Sequence, residues 1–81
     1  MIHISKTSNG YIGLGSRIKK LRVIQDMTRY ELGLCTYTTE QFIGKIERGE
    51  IGLTESQLTA FAKAFGLTEE QFTAGEVEVK V

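Results

Sequence analysis

Side chains that could carry out covalent or metal chemistry are scarce in this chain. Its 81 residues include one histidine, His3, and one cysteine, Cys35. A Cys/His metal site needs several ligands at set spacings, and a serine nucleophile needs a histidine base and an acid beside it. A lone histidine near the N terminus meets neither requirement. We therefore expect no catalysis, no metal and no cofactor.

Cys35 has no second cysteine with which to form an internal disulfide. We expect it to lie in the core as a small apolar side chain. The alternative, a redox sensor, requires surroundings that stabilise a thiolate.

A glycine-rich segment, Gly10 to Gly15, is the other feature that could bind a ligand. In phosphate-binding loops such glycines are accompanied by a Gly-Lys-Ser/Thr sequence or by a βαβ unit, and this segment has neither. We predict that residues 1–13 form a flexible N-terminal arm with a short strand at Ile2 to Ser5. Binding of a ligand or nucleotide through this segment is an alternative.

The charged side chains are unevenly distributed although the net charge is zero. Residues 1–48 hold eight basic and four acidic side chains, and residues 49–81 hold two basic and six acidic ones. Such asymmetry predicts one basic and one acidic face. A polyanion would attract the first and repel the second, which would orient its docking.

The length of the chain predicts a single small domain, which buries only a little over about 60% of its unfolded surface. Dimerisation would add stability to such a domain. No apolar run approaches the roughly 20 residues that span a bilayer, and the first residues lack the apolar core of a signal peptide. We expect a cytoplasmic protein.

Apolar spacing and capping signals predict five helices and no internal repeat. Thr-x-x-Glu/Gln capping boxes at Thr28, Thr54 and Thr68 each begin a helix. The predicted helices cover Ser16–Gln25, Arg29–Cys35, residues 40–48 after the N-cap Thr39, a fourth from Thr54 to Gly66, and a short fifth after Thr68. The expected core residues are Leu14, Ile18, Leu21, Ile24, Leu32, Ile43, Ile46, Leu58, Phe61, Ala62, Phe65 and Phe72.

The last six residues, 76–81, alternate strictly between acidic or basic and valine side chains, which is the pattern of a strand. A strand needs a partner for its backbone, either Ile2 to Ser5 of the same chain or residues 76–81 of a second copy. The predicted organisation is an arm over 1–13, a helical domain over 14–74 and a strand-like tail over 75–81.

Four segments carry motifs with recognisable spacing: GSRIKKLR at 15–22, TRYELG at 28–33, IGKIERG at 43–49 and LTAFAKAFG at 58–66. Together they resemble the Cro and phage-repressor (XRE-type) helix-turn-helix family. The similarity spans about residues 14–72 without a gap between Arg17 and Gly49. It implies an all-α, five-helix bundle like that of lambda repressor, and binding to double-stranded DNA. Gly33 stands where the family has alanine, so we expect two helices to approach closely there.

The resemblance also implies roles for individual residues. The third helix would enter the major groove, and its base-reading positions would be Glu40, Gln41, Gly44 and Lys45. We expect Phe42 to pack rather than to read a base. Residues implied to contact phosphates are Arg17, Lys19, Lys20, Arg29, Thr39 and Arg48. Arg22 and Glu47 match a family pair that forms a structural salt bridge.

Some residues depart from the family pattern. Tyr37 replaces a favoured glycine in the turn, Thr38 replaces an apolar residue, and Leu34 and Cys35 replace polar ones. These departures predict either an unusual turn or a surface that packs against another molecule.

The resemblance predicts a sequence-specific transcriptional regulator, and we expect a repressor that acts as a homodimer on an inverted repeat. The helix-turn-helix dimer geometry would place the half-sites about 34 Å apart. The alternative is a protein-interaction module of the same fold, antitoxin-like, with little or no affinity for DNA. The neutral net charge and the acidic Glu40 on the reading helix favour that alternative.

Overall fold

A two-stranded hairpin precedes five helices in the computed structural model, which describes residues 5–7 and 10–73. This agrees with the predicted five-helix architecture. The elements are β1 (Ser5–Thr7), β2 (Gly10–Ile12), α1 (Gly15–Ile24), α2 (Arg29–Thr36), α3 (Glu40–Glu47), α4 (Glu55–Ala64) and α5 (Glu69–Thr73).

The N-terminal segment forms a hairpin where we predicted a flexible arm. Strands β1 and β2 are antiparallel, with Ser5 opposite Ile12 and Thr7 opposite Gly10, and β2 lies beside α4. The strand predicted from Ile2 to Ser5 overlaps β1 only at Ser5. Local alternation did not reveal the pairing because each strand is only three residues long. The remainder of that predicted strand, His3 and the tail at 76–81 lie outside the described residues.

Threonine side chains begin the last four helices, as predicted. The Thr28 hydroxyl accepts a hydrogen bond from the Glu31 amide at 3.0 Å, and the Thr28 amide donates to the Glu31 carboxylate at 2.8 Å. The reciprocal pairs of the other two boxes are Thr54 with Gln57 and Thr68 with Gln71. Because each box satisfies two amides that a helix start leaves unpaired, short local motifs fix where these helices begin.

The turn between α2 and α3 contains a left-handed tyrosine. Tyr37 has φ of 58° and its side chain is almost wholly exposed. A side chain is disfavoured in this conformation, which glycine adopts without cost. The unusual turn predicted at Tyr37 is therefore present, and helix α2 extends through Thr36, one residue further than we predicted.

The core is formed by residues of all five helices, by Leu14 and Phe65 at the ends of α1 and α4, and by Leu53 from the loop between α3 and α4. The predicted core residues are buried or pack against the buried cluster, except Ile24 and Cys35, and Phe42 packs against it too. Ile24 was wrongly placed in the core, because it lies at the last residue of α1 and is 69% exposed.

Cys35 was also wrongly placed in the core and is exposed. The neighbouring Thr36 is buried instead, and its hydroxyl donates to the Leu32 carbonyl at 2.9 Å. Because this hydrogen bond within α2 gives the buried hydroxyl a partner, a threonine can occupy the core-facing position 36.

Two glycines allow helices to approach closely. A Cβ atom on Gly33 would lie 3.1 Å from the Thr39 carbonyl carbon, which confirms the close approach of α2 to the start of α3. A Cβ atom on Gly15 would lie 2.3 Å from the Ile46 carbonyl oxygen and 2.9 Å from that of Glu47. Gly15 thus lets the beginning of α1 rest directly on the end of α3.

We predict that Gly15→Ala destabilises the protein by about 1–3 kcal/mol, since an added methyl group in a filled space forces the backbone to shift. Urea unfolding monitored by circular dichroism measures this loss. Ser16→Ala, at the exposed neighbouring position, is the control and should change stability by less than about 0.5 kcal/mol. Equal stability of the two variants would contradict the close contact between α1 and α3.

Candidate nucleic-acid interface

Helix α3 is attached to α1 by the ion pair of Arg22 and Glu47, as the sequence predicted. The Arg22 Nε donates to Glu47 Oε2 at 2.7 Å, and its Nη2 donates to Oε1 at 3.3 Å. The Glu47 side chain is only 1% exposed and that of Arg22 13%. The remaining Nη1 of Arg22 donates to the Met27 carbonyl at 2.9 Å, so one guanidinium links α1, the loop that follows it and α3.

Arg29, for which we predicted a phosphate contact, binds the same carboxylate. Its Nε donates to Glu47 Oε1 at 3.1 Å, while 41% of its side chain stays exposed. Glu47 therefore connects the first turn of α2 as well as α1 to α3. The structural ion pair predicted for Arg22 and Glu47 is in fact a cluster of three side chains.

The outer face of α3 presents polar side chains around a shallow, open depression of about 350 Å³. Glu40, Gln41 and Lys45 are exposed there, and Arg29 and Arg48 border the same depression. Three positive side chains thus surround one carboxylate. This face can donate hydrogen bonds to a polyanion and offers both a carboxylate and an amide for reading polar edges.

Gly44, which we predicted to read a base, lies at this depression and is buried. A Cβ atom there would be 3.0 Å from Nη1 of Arg48 and 3.9 Å from Nη1 of Arg29. Two guanidinium groups therefore cover the glycine.

The remaining phosphate candidates have different surroundings. Arg17 donates to the carbonyl oxygens of Phe72 at 3.2 Å and Gln71 at 3.3 Å, so it binds the end of α5. Lys19 and Lys20 are exposed on α1. Thr39 caps α3 by accepting a hydrogen bond from the Phe42 amide at 3.1 Å. The structure thus brings Arg29, Arg48 and Thr39 to α3 and directs Arg17 towards α5.

Glu50 was not among the site residues expected from the sequence. Its carboxylate accepts a hydrogen bond from the Arg48 Nε at 2.6 Å, and both side chains are about half exposed. This bond lowers the pKa of Glu50 and raises the pKa of Arg48. The sequence signal that could have indicated this contact was an acidic residue two positions after an arginine at the end of a helix. Gly49, between the two residues, has a left-handed conformation, and the turn it makes brings Glu50 next to Arg48.

Large apolar side chains lie exposed beside this face. Tyr30 and Leu34, one turn apart on α2, are 58% and 60% exposed, and they border a second depression that also includes Gln41. Tyr37 extends into solvent at the following turn.

Within residues 5–7 and 10–73, no helix has the length and apolar character needed to cross a membrane. The same part of the chain contains no group of three or more His, Cys, Asp or Glu side chains placed to hold a metal ion.

Solved helix-turn-helix proteins share this fold. The clp gene regulator ClgR from Corynebacterium glutamicum superimposes with a TM-score of 0.69 at 20% identity, over 73% of this chain and 63% of ClgR. The restriction-modification controller protein C.AhdI from Aeromonas hydrophila superimposes with a TM-score of 0.69 at 19% sequence identity, over 73% of this chain and 89% of C.AhdI. The P22 c2 repressor, in complex with a synthetic operator, superimposes with a TM-score of 0.68 at 24% sequence identity. The match covers 73% of this chain and 89% of the repressor chain.

The chain covers less than two thirds of ClgR. No family model matches the sequence, and no curated protein does. The structural likeness confirms the predicted helix-turn-helix fold of the Cro and phage-repressor type.

We predict that Glu47→Gln lowers the free energy of unfolding by about 3 kcal/mol, because it leaves two arginines without their shared carboxylate. This is the lower end of the cost of breaking a buried pair, since both arginines retain contact with water. Chemical denaturation gives the value. Glu50→Gln, which removes an exposed carboxylate from Arg48, is the matched control and should barely change the midpoint denaturant concentration of unfolding. Similar midpoints for both variants would argue against a joining role for Glu47.

Proposed function

We propose that the protein is a sequence-specific DNA-binding transcription regulator, a repressor that acts as a homodimer on an inverted repeat. The observation that carries this proposal is the outer face of α3, where Gln41 and Lys45 are exposed on a helix held in place by the buried Glu47 carboxylate. The fold shared with the P22 c2 repressor, itself crystallised with a synthetic operator, supports it.

Base recognition would come from the first two turns of α3 in the major groove. The groove is wide enough to admit an α-helix. The Gln41 amide can form two hydrogen bonds with adenine, the Lys45 ammonium can donate to guanine, and the Glu40 carboxylate can accept from the cytosine amino group. In the major groove the Glu40 carboxylate would be repelled by the DNA phosphates, so we assign it a selective rather than an affinity-giving role.

Phosphate contacts would come from side chains beside α3 and along α1: Arg29, Arg48, Thr39, Lys19 and Lys20. Arg29 combines a fixed position with exposure, since Glu47 binds its Nε and leaves the terminal amino groups at the depression. Arg17 would contribute through its charge, because its guanidinium binds the end of α5. Positioning contacts of this kind give affinity without sequence preference.

Dimerisation would involve α5 and the tail at 76–81. Two tails paired antiparallel about Glu78 would oppose Glu76 to Lys80, which is favourable, and the two Glu78 residues to each other, which is not. In this family's dimer geometry the two copies of α3 are about 34 Å apart, one turn of the duplex.

A second candidate is a protein-interaction module with little or no DNA affinity. It is favoured by the exposed Tyr30, Leu34 and Tyr37, because apolar side chains gathered on a surface often mark a contact with another protein. These residues adjoin the start of α3, so a partner bound there would also cover Gln41.

We expect the protein to bind random-sequence duplex DNA at low salt and to lose affinity steeply as salt is raised, because each phosphate contact releases a counterion. Fluorescence anisotropy at several salt concentrations measures the slope. Four charged contacts per chain would give a slope of about −4 for one bound chain and about −7 for a bound homodimer. The same titration with a single strand of the same length is the comparison. Absence of salt-dependent binding would reject the regulator and favour the interaction module.

Gln41→Ala should alter which sequences are bound rather than whether DNA is bound. Loss of a two-bond contact with adenine costs about 1–3 kcal/mol at that base pair alone. Selection of duplexes from a random pool by the wild type and by the variant would therefore give two motifs that differ at one position in each half-site. A uniform loss of affinity on every sequence would contradict base reading by Gln41.

A further inference from the structure

Two guanidinium groups converge over Gly44 on the outer face of α3. Within the described chain, the point that a Cβ atom of Gly44 would occupy is 3.0 Å from Nη1 of Arg48 and 3.9 Å from Nη1 of Arg29. The two like-charged groups come from different helices and meet over a residue without a side chain. Glycine lowers the stability of a helix interior relative to alanine, so this position calls for a local explanation.

Each of these two guanidinium groups donates a hydrogen bond from its Nε atom to a different carboxylate. The Nε of Arg29 donates to Glu47, and the Nε of Arg48 donates to Glu50. In the described part of the chain, the side-chain hydrogen bonds of these two arginines involve only Nε. Their Nη1 atoms lie near Gly44, which borders the open depression. The carboxylates also offset the repulsion between the guanidinium groups.

The two carboxylates differ in burial, and this predicts which arginine moves. Glu47 is 1% exposed and is bound by Arg22 too, so this carboxylate is fixed in place beside Arg29. Glu50 is 49% exposed and binds Arg48 alone among the described residues. An anion reaching the depression can therefore displace Glu50 from Arg48 more easily than Glu47 from Arg29.

We propose that Gly44 is a positioning residue that allows Arg29 and Arg48 to bind the same phosphate of the DNA backbone, in exchange for the contact of Arg48 with Glu50. This inference rests on the proposed function and assigns Gly44 a role other than base reading. A phosphate suits the site better than a base edge does, because its two anionic oxygens accept hydrogen bonds from two guanidinium forks at once. A guanine edge offers two acceptors, which one arginine already satisfies.

The test is Gly44→Ala, because folding and binding should respond in opposite directions. Alanine favours the helix, so the melting temperature should stay the same or rise. The new methyl group would lie 3.0 Å from Arg48 Nη1, so this guanidinium group has to move away from Arg29 by a few tenths of an ångström. Affinity for random duplex should fall about tenfold on every sequence, the scale of one charge-assisted hydrogen bond, and the salt slope should weaken by about one.

A double-mutant cycle identifies the residue through which Gly44 acts. If the methyl group acts by displacing Arg48, then Gly44→Ala combined with Arg48→Ala should bind no more weakly than Arg48→Ala alone. Glu50→Gln should strengthen binding, since it removes the competing carboxylate. The wild-type protein and each variant are titrated with the same random duplex, and thermal melting of each sample reports folding.

The outcomes separate the two hypotheses. Wild-type binding that Gly44→Ala leaves unchanged would overturn the shared phosphate while the regulator stands. An altered sequence preference in Gly44→Ala would show that Gly44 takes part in base reading instead. Additive losses of affinity in the double-mutant cycle would exclude action through Arg48. Failure of the wild type to bind any duplex would overturn the proposed function and this inference with it.

Discussion

The Glu47 carboxylate is the contact on which the candidate interface depends. It receives Arg22 from α1 and Arg29 from α2, and it belongs to the last residue of α3. One buried anion thus fixes the positions of the two helices of the helix-turn-helix and of the helix that supports them. A buried charge is tolerated only where partners replace its lost water, so rearranging any one helix would leave this charge unsatisfied. The cluster therefore specifies the arrangement of the helices as well as contributing to stability.

The same cluster determines which side chains are available for binding. Two guanidinium groups share one carboxylate, so the cluster keeps an excess positive charge, and the more exposed arginine, Arg29, carries part of it towards the outer face of α3. The glycines complete the arrangement from the opposite side. Gly15 and Gly33 bring neighbouring backbones against the end and the start of α3. The helix is thus restrained at both ends, while Gln41 and Lys45 between them have no part in the core and can vary without loss of the fold.

Features determined by neighbours in sequence could be predicted, and those determined by distant contacts could not. The capping boxes at Thr28, Thr54 and Thr68 act within one turn, so the helix starts were predicted to within a residue. The pair of Arg22 and Glu47 came from the family resemblance. Ile24 and Cys35 were wrongly predicted to be buried, because an apolar side chain in the last turn of a helix does not show whether that turn still packs against another element. The attachment of Arg29 to Glu47 and of Arg17 to α5 joins residues far apart in sequence, so no local pattern encodes it.

The zero net charge of the chain is compatible with a DNA-binding face because of where the acidic residues lie. The basic excess falls in the segment that includes α1 to α3, and the acidic excess begins at Glu50, directly after the end of α3. Glu50 is thus placed at the boundary between the two segments, where it accepts a hydrogen bond from Arg48. Long-range attraction to a polyanion acts on this separation of charge rather than on its sum. Any duplex would be drawn towards α3 and away from the acidic part of the molecule, and the contacts at Gln41 and Lys45 would then decide between sequences.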